Sequence, residues 1–218
     1  MARRFVIIGN GVAGVTAAMT LRARDADARI TVVSAEAPYF FSRTALMYAF
    51  MGTLARRDME PFERRVYREH SIERVHARVT DLDADARAVT LDDGRTLPYD
   101  GLLLATGSTP RKLAAPGVDA TLGGLVHFVS MQDLDACERW TPSSHEAVVV
   151  GGGLIGIELV ESLVHHGVRT TFLVREPWYW PVALCREEAE LVTARMRGHG
   201  VDVRLDTELA AAARDDDG

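Results

Sequence analysis

Apolar positions along the chain gather into short runs, and two of those runs open the same succession of signals. The run "RFVIIG" (Arg4 to Gly9) is apolar at consecutive positions and rich in β-branched residues, as a parallel strand buried on both faces requires. The segment "VTAAMTLRAR" then has helical character, "DADA" breaks it, and "RITVVS" returns as a second strand-like run. These signals predict one βαβ unit within about 30 residues. The succession recurs as "EAVVV", "LIGIELVESLVHH" and "RTTFLV", followed by the helix-like "CREEAELVTARMRG" and the strand-like "VDVRLD".

Between the two units the pattern changes. "SRTALMYAFMG" reads as helical and follows an aromatic loop, "PYFFS". "RVHARVTDLD", "ARAVTL" and "TLPYD" read as short strands, with Asp93-Gly94 a hairpin turn. "YDGLLLATGSTPR" is a buried strand ending in a small-residue turn, "MQDLDACERW" a short helix and "TPSSHE" a linker. The predicted fold is α/β: two Rossmann-like βαβ domains, residues 1–142 and 143–218, the first with a small antiparallel β insertion at about 74–100.

Composition narrows the functions available. Of 218 residues 47% are apolar and 26% charged, the balance of an ordinary globular chain. No apolar run approaches the roughly 20 residues of a membrane span. Two arginines lead directly into the first strand, without the apolar core of a signal peptide, so a cytoplasmic location is expected. A net charge of −6 argues against nucleic acid as a partner. Cys137 and Cys185 are too few and too far apart for a zinc site or a disulfide framework, and the seven histidines form no metal motif. His165 and His166 read as solvated surface.

The chemistry lies in the glycine turns. Gly9, Gly11 and Gly14 follow the first strand in Gly-x-Gly-x-x-Gly spacing, and Gly151, Gly153 and Gly156 repeat it after the second. The first glycine of each set permits the tight turn, the second lets backbone approach a pyrophosphate, and the third lets helix pack on strand. The helix N-terminus then offers N–H groups and partial positive charge to phosphate. One such match arises by chance about 0.1 times in a chain of this glycine content, so two in the right context are informative.

Four stretches, "IIGNGVAG", "ITVVSAEAPYFFSRTAL", "LLLATGSTPR" and "VVVGGGLIGIE", carry a family resemblance by their content, order and separation. The chain resembles the N-terminal part of the FAD- and NAD(P)-dependent pyridine nucleotide-disulfide oxidoreductases, in particular the branch with ferredoxin and rubredoxin reductases and the FAD subunit of nitrite reductase. The resemblance implies that the first turn holds FAD and the second NADH or NADPH. It assigns Glu36 to a ribose of FAD, since Ser34 stands where the acid is usual, and Arg43 to the pyrophosphate. Ala105, Thr106 and Gly107 match a turn that passes close to the flavin nucleotide. In the second half Glu176 suits the 2′-hydroxyl of NADH and Arg175 the 2′-phosphate of NADPH, with NADH slightly favoured. Tyr48 stands at a family lysine position, which implies a hydrogen bond to Glu158 beside the nicotinamide.

Departures from the family matter equally. Thr44 stands where some members carry a redox cysteine, and neither Cys137 nor Cys185 lies in that segment, so no dithiol relay is expected. Electrons would pass from NAD(P)H through FAD to an unidentified acceptor, a small molecule or a redox protein. Nothing in the pattern specifies an oligomeric state. The alternatives are a non-catalytic dinucleotide-binding module and a truncated fragment with weak cofactor binding. "WYW" (Trp178 to Trp180) reads either as adenine stacking or as packing against the next helix. Both sheets are expected to be incomplete at the C-terminus, with strand edges uncovered, and the closing alanine run and three aspartates to form an exposed end.

Overall fold

The computed structural model describes residues 2–111, 113–119 and 122–214. In chain order the elements begin with β1 (Arg4–Ile8), α1 (Val12–Arg24), β2 (Arg29–Ser34), α2 (Leu46–Phe50), α3 (Arg65–Glu69) and β3 (Ile72–His76). There follow β4 (Val79–Asp83), β5 (Ala88–Leu91), β6 (Thr96–Pro98), β7 (Gly101–Leu104) and α4 (Met131–Trp140). The chain continues through β8 (Glu146–Val150), α5 (Leu154–His165), β9 (Arg169–Leu173), α6 (Arg186–Gly198) and β10 (Asp202–Arg204). Two compact units result, Met1–Ala45 with Leu54–Thr109, and Leu46–Thr53 with Pro110–Gly218.

The first unit holds a parallel sheet in the order β3-β2-β1-β7. Successive residues of β1 face opposite sides, and both sides are covered, which is why its apolar run is uninterrupted. On one side Ile7 joins Val15 and Ala18 of α1, Ile30, Val32, Ile72 and Tyr67. On the other side Val6, Val33 and Val75 pack with Val89, Leu91 and Tyr99. Those last residues come from, or adjoin, an antiparallel sheet in the order β4-β5-β6, closed by a hairpin in which Gly94 has φ +82°. Where the sequence places the insertion at about 74–100, the antiparallel strands run from Val79 to Pro98. The continuous alternation of "RVHARVTDLD" conceals a change of sheet: Ile72–His76 pair in parallel with β2, and the chain crosses over at Ala77 and Arg78.

The second unit is a parallel sheet in the order β10-β9-β8, with α5 packed on β8 and β9, and α6 on β10. Val149, Phe172 and Val203 align in register and are buried. β8 is the outer strand here, as β7 is in the first unit, and Val148 and Leu104 on these edges are 60% and 61% exposed. Only Leu46–Phe50 of "SRTALMYAFMG" forms α-helix, after a single 3₁₀ turn at Arg43–Ala45. This α2 packs against α4 and α5, with the Phe50 ring 5.7 Å from Phe128 and 4.9 Å from His166. His165 and His166 are both exposed, as expected, and the His166 ring also lies against Phe50, with Nε2 2.8 Å from its carbonyl oxygen. Sequence could not show that contact, because 116 residues separate the pair.

The alanine run is not wholly an exposed end. The Ala212 N–H donates to the Pro116 carbonyl at 2.9 Å, which ties the run to a loop of the same unit. The three aspartates that follow, Asp215 to Asp217, lie outside the described residues. No described helix is long and apolar enough to cross a membrane.

Candidate functional site

The two glycine turns have the same internal design. Gly9 sits at φ +113° and Gly151 at φ +124°, a backbone conformation that side chains other than glycine rarely adopt. A Cβ on Gly14 would overlap the Gly9 carbonyl, and one on Gly156 the Gly151 carbonyl, so the third glycine lets the helix approach its own turn. The middle glycines differ in kind. A Cβ on Gly11 or Gly153 would meet no protein atom within 4 Å. None of the described residues requires glycine there, and the space beside each backbone is open to a ligand's pyrophosphate.

The helix starts point the same way. α1 and α5 begin at Gly11 and Gly153 with no side-chain cap and no acidic residue in the first turn. α4 and α6 instead begin with capping boxes, Ser130 with Asp133 and Cys185 with Glu188. The first-turn N–H groups of α4 and α6 are therefore partly satisfied internally, whereas those of α1 and α5 are left to an anion. The residues present thus fit a dinucleotide at each turn.

Beyond each turn stands a carboxylate paired with an arginine. Arg43 donates from its two terminal nitrogens to Glu36 at 3.0 and 2.7 Å, and its guanidinium lies 5.2 Å from the Phe41 ring centre. Sequence assigns these residues to different parts of FAD, and the fork joins them into one planar unit. In the second unit Arg175 Nε donates to Glu176 at 2.8 Å, which raises the guanidinium pKa and lowers that of the carboxyl. Ala105, Thr106 and Gly107 follow β7 against the first turn. A Cβ on Gly9 would overlap the Ala105 carbonyl, and Gly107 itself has φ +69°.

Tyr48 and Glu158 both lie in the second unit, on the packed helices α2 and α5. Among the described residues no hydrogen bond joins them, and Tyr48 is 51% exposed. The Glu158 carboxyl is raised above its usual range by burial first, and then by the neighbouring charge of Glu161. The phenol near Glu158 is that of Tyr179, pushed up to about 12 by burial and by the Glu158 charge. Its Oη stands 3.5 Å from the Gly153 carbonyl, at the contact limit of a hydrogen bond. Tyr179 is buried against Phe172, and Arg186, the first residue of α6, lies 5.8 Å from the Trp178 ring centre. Within "WYW", Trp178 meets the first residue of the next helix, while Tyr179 packs on β9 and the second turn.

Cys137 is buried, and burial with Asp133 and Glu138 pushes its thiol up to about 12, so it is not a thiolate near neutral pH. Cys185 is exposed at the start of α6. No group of three or more metal-binding side chains occurs among the described residues.

Two residues at the first turn were not singled out from sequence. Asn10, between Gly9 and Gly11, is 8% exposed and accepts a 2.9 Å hydrogen bond from the phenol of Tyr67. The only available signals were a polar residue between turn glycines and a lone aromatic in the charged stretch "PFERRVYREH".

A family model described as pyridine nucleotide-disulphide oxidoreductase matches residues 3–218. The ferredoxin reductase component of a chlorobenzene dioxygenase from Cupriavidus sp. (strain PS12) is 35% identical over 218 residues, covering 99% of this chain and 52% of the relative. A rubredoxin-NAD(+) reductase from Pseudomonas putida is 30% identical over 208 residues, covering 94% and 54%. In a covalent putidaredoxin reductase–putidaredoxin complex, a chain 26% identical superposes with a TM-score of 0.88, over 100% of this chain and 53% of that one. The chain spans about half the length of these relatives.

Proposed function

The chain belongs to the pyridine nucleotide-disulphide oxidoreductase family, and from that premise we propose that it is a cytoplasmic flavoprotein oxidoreductase segment. It passes electrons from NAD(P)H through FAD to a redox protein of the ferredoxin or rubredoxin kind, with no cysteine pair in the path. The observation that carries this reading is the pair of turns whose middle glycine is open and whose following helix is uncapped. When bound, NAD(P)H supplies the hydride and FAD accepts it and relays the electrons.

The chain's own residues bind and align. The Gly11 backbone and the start of α1 hold the FAD pyrophosphate, Glu36 accepts from a ribose hydroxyl, and Arg43 neutralises phosphate charge. Ala105, Thr106 and Gly107 flank the flavin nucleotide. Gly151, Gly153 and Gly156 hold the second dinucleotide, Glu176 favouring NADH and Arg175 within reach of a 2′-phosphate. Glu158 orients the nicotinamide ring, with Tyr48 beside it. Glu158→Gln should slow flavin reduction in stopped flow about tenfold, which is ~1.4 kcal/mol of barrier. A rate within about twofold of wild type removes Glu158 from that role.

The exposed edges of β7 and β8 and the half-length match support a further part of the proposal. The chain spans about half the length of its relatives, and alone it binds FAD weakly. Titration of the purified chain with FAD should give saturable quenching of flavin fluorescence, and NADH should then bleach the flavin. Saturable binding without bleaching leaves a dinucleotide-binding module, and no saturable binding overturns the flavoprotein reading for this chain.

A further inference from the structure

We infer that Tyr67 is a positioning residue for the first dinucleotide turn, an inference that rests on the assignment of FAD to that turn. Its phenol is 2% exposed and makes two hydrogen bonds to segments far apart in sequence. The hydroxyl donates to Asn10 Oδ1 at 2.9 Å, and it accepts from the Phe40 N–H at 3.0 Å. Asn10 lies inside the glycine turn, and Phe40 lies in the loop that carries Glu36 and Arg43. One hydroxyl therefore sets the distance between the pyrophosphate cradle and the ribose-and-phosphate loop.

The rest of the loop is fastened so that this distance is held. Arg74 donates to the Pro38 carbonyl at 3.1 Å and lies 4.0 Å from the Tyr39 ring centre, with Arg64 4.2 Å away from the same ring. The Ser42 N–H donates to the Met59 carbonyl at 2.8 Å. Tyr39 and Tyr67 meet edge to face at 6.1 Å. With anchors on both sides of Phe40, Tyr67 is a hydrogen-bonded connection from this loop to the turn itself. A loop fixed before the ligand arrives loses less conformational freedom on binding, so the hydroxyl raises FAD affinity without touching FAD.

Tyr67→Phe removes the hydroxyl and keeps the ring. It should weaken FAD binding about tenfold, the loss of one buried pair of hydrogen bonds. Asn10→Ala should weaken it similarly. The double variant should be no worse than about twofold beyond either single one, because both act through one linkage. Amide exchange at Phe40, measured without FAD, should accelerate about tenfold in Tyr67→Phe. A merely structural tyrosine would lower the melting temperature but give additive losses of affinity. Unchanged Phe40 exchange, or additive losses, overturns the inference. If the wild-type chain binds no FAD, the flavin assignment fails separately, and the exchange rate alone decides whether the lock exists.

Discussion

The two strand–turn–helix units share a backbone design and differ in what surrounds it. At the first turn, segments distant in sequence close in: the Ala105 carbonyl lies against Gly9, and Tyr67 holds Asn10. At the second, a Cβ on Gly151 would meet nothing within 4 Å, and the neighbours of the turn are the adjacent strand end at Val174 and the nearby Tyr179. The glycine spacing encodes a phosphate-sized turn in both places, and the surroundings decide how rigidly each is held. A turn walled by its own fold suits a cofactor that stays, and one open on more sides suits a cofactor that exchanges each turnover.

The strongest way to break that comparison is to add one methyl group to each first glycine. Gly9→Ala drives a Cβ into the Ala105 backbone in addition to the strain of φ +113°, and should cost more than ~3 kcal/mol in urea denaturation. Gly151→Ala carries only the strain of φ +124° and should cost about 1–2 kcal/mol. Equal costs would mean that the two turns are equally walled.

The middle glycines sharpen the comparison through ligand binding. Gly11→Val fills the open space beside the first turn and should abolish FAD binding, while the fold loses only up to ~1 kcal/mol for a poorer helix cap. Gly153→Val should abolish NAD(P)H binding and leave FAD affinity unchanged. Flavin fluorescence and nucleotide titrations on both variants separate these outcomes. Retained FAD binding in a folded Gly11→Val chain would remove FAD from the first turn.

The helix ends behind the turns also differ. At the end of α1, Arg22 donates to the carbonyls of Asp25, Ala26, Ala28, His70 and Ser71, which ties α1 to the segment before β3. α5 ends more simply, with Gly167 at φ +77° donating to the Val164 carbonyl. Arg22→Met should therefore cost about 2–3 kcal/mol, as several charge-assisted hydrogen bonds are lost together. Gly167→Ala should cost about 1 kcal/mol. Thermal denaturation of the two variants gives the order directly.

The fold was legible where its signals are local. A buried parallel strand, a glycine turn and a helix each announce themselves within a dozen residues, so both βαβ units stand out in the chain. The candidate site was legible to the same depth, since the six turn glycines are local signals too. Its supports were not. Tyr67 lies on a five-residue helix with no full amphipathic period, and its partners are 57 and 27 positions away. The pairing of Arg43 with Glu36 depends on loop geometry that spacing does not encode. Likewise, α2 reads as part of the first half and packs in the second unit, because its partners are supplied by α4 and α5.

The smallest predicted effect concerns how each sheet is fastened at the start of its strands. In the first unit Asp100, just before β7, receives the Arg4 N–H at 2.7 Å and the Arg4 guanidinium at 3.2 and 3.0 Å. The side-chain bond from Arg4, then its backbone N–H, lowers the Asp100 carboxyl to about 2. In the second unit the corresponding pair, Glu146 with Arg169, has one contact at 2.7 Å between two well-exposed side chains. An acid whose folded pKa is depressed stabilises the fold above its unfolded value of roughly 3.9, and that contribution disappears as pH falls through about 2. Between those values the unfolded chain binds more protons, so stability rises with pH there. Asp100→Asn should lower the urea midpoint slightly at neutral pH and flatten its fall between about pH 4 and pH 2. Because the pair is solvent-accessible, added salt should shrink the difference from wild type. Glu146→Gln should leave the neutral-pH midpoint unchanged. An acid limb in Asp100→Asn as steep as in wild type would show that the clamp across β1 and β7 holds no more firmly than the single exposed pair across β8 and β9.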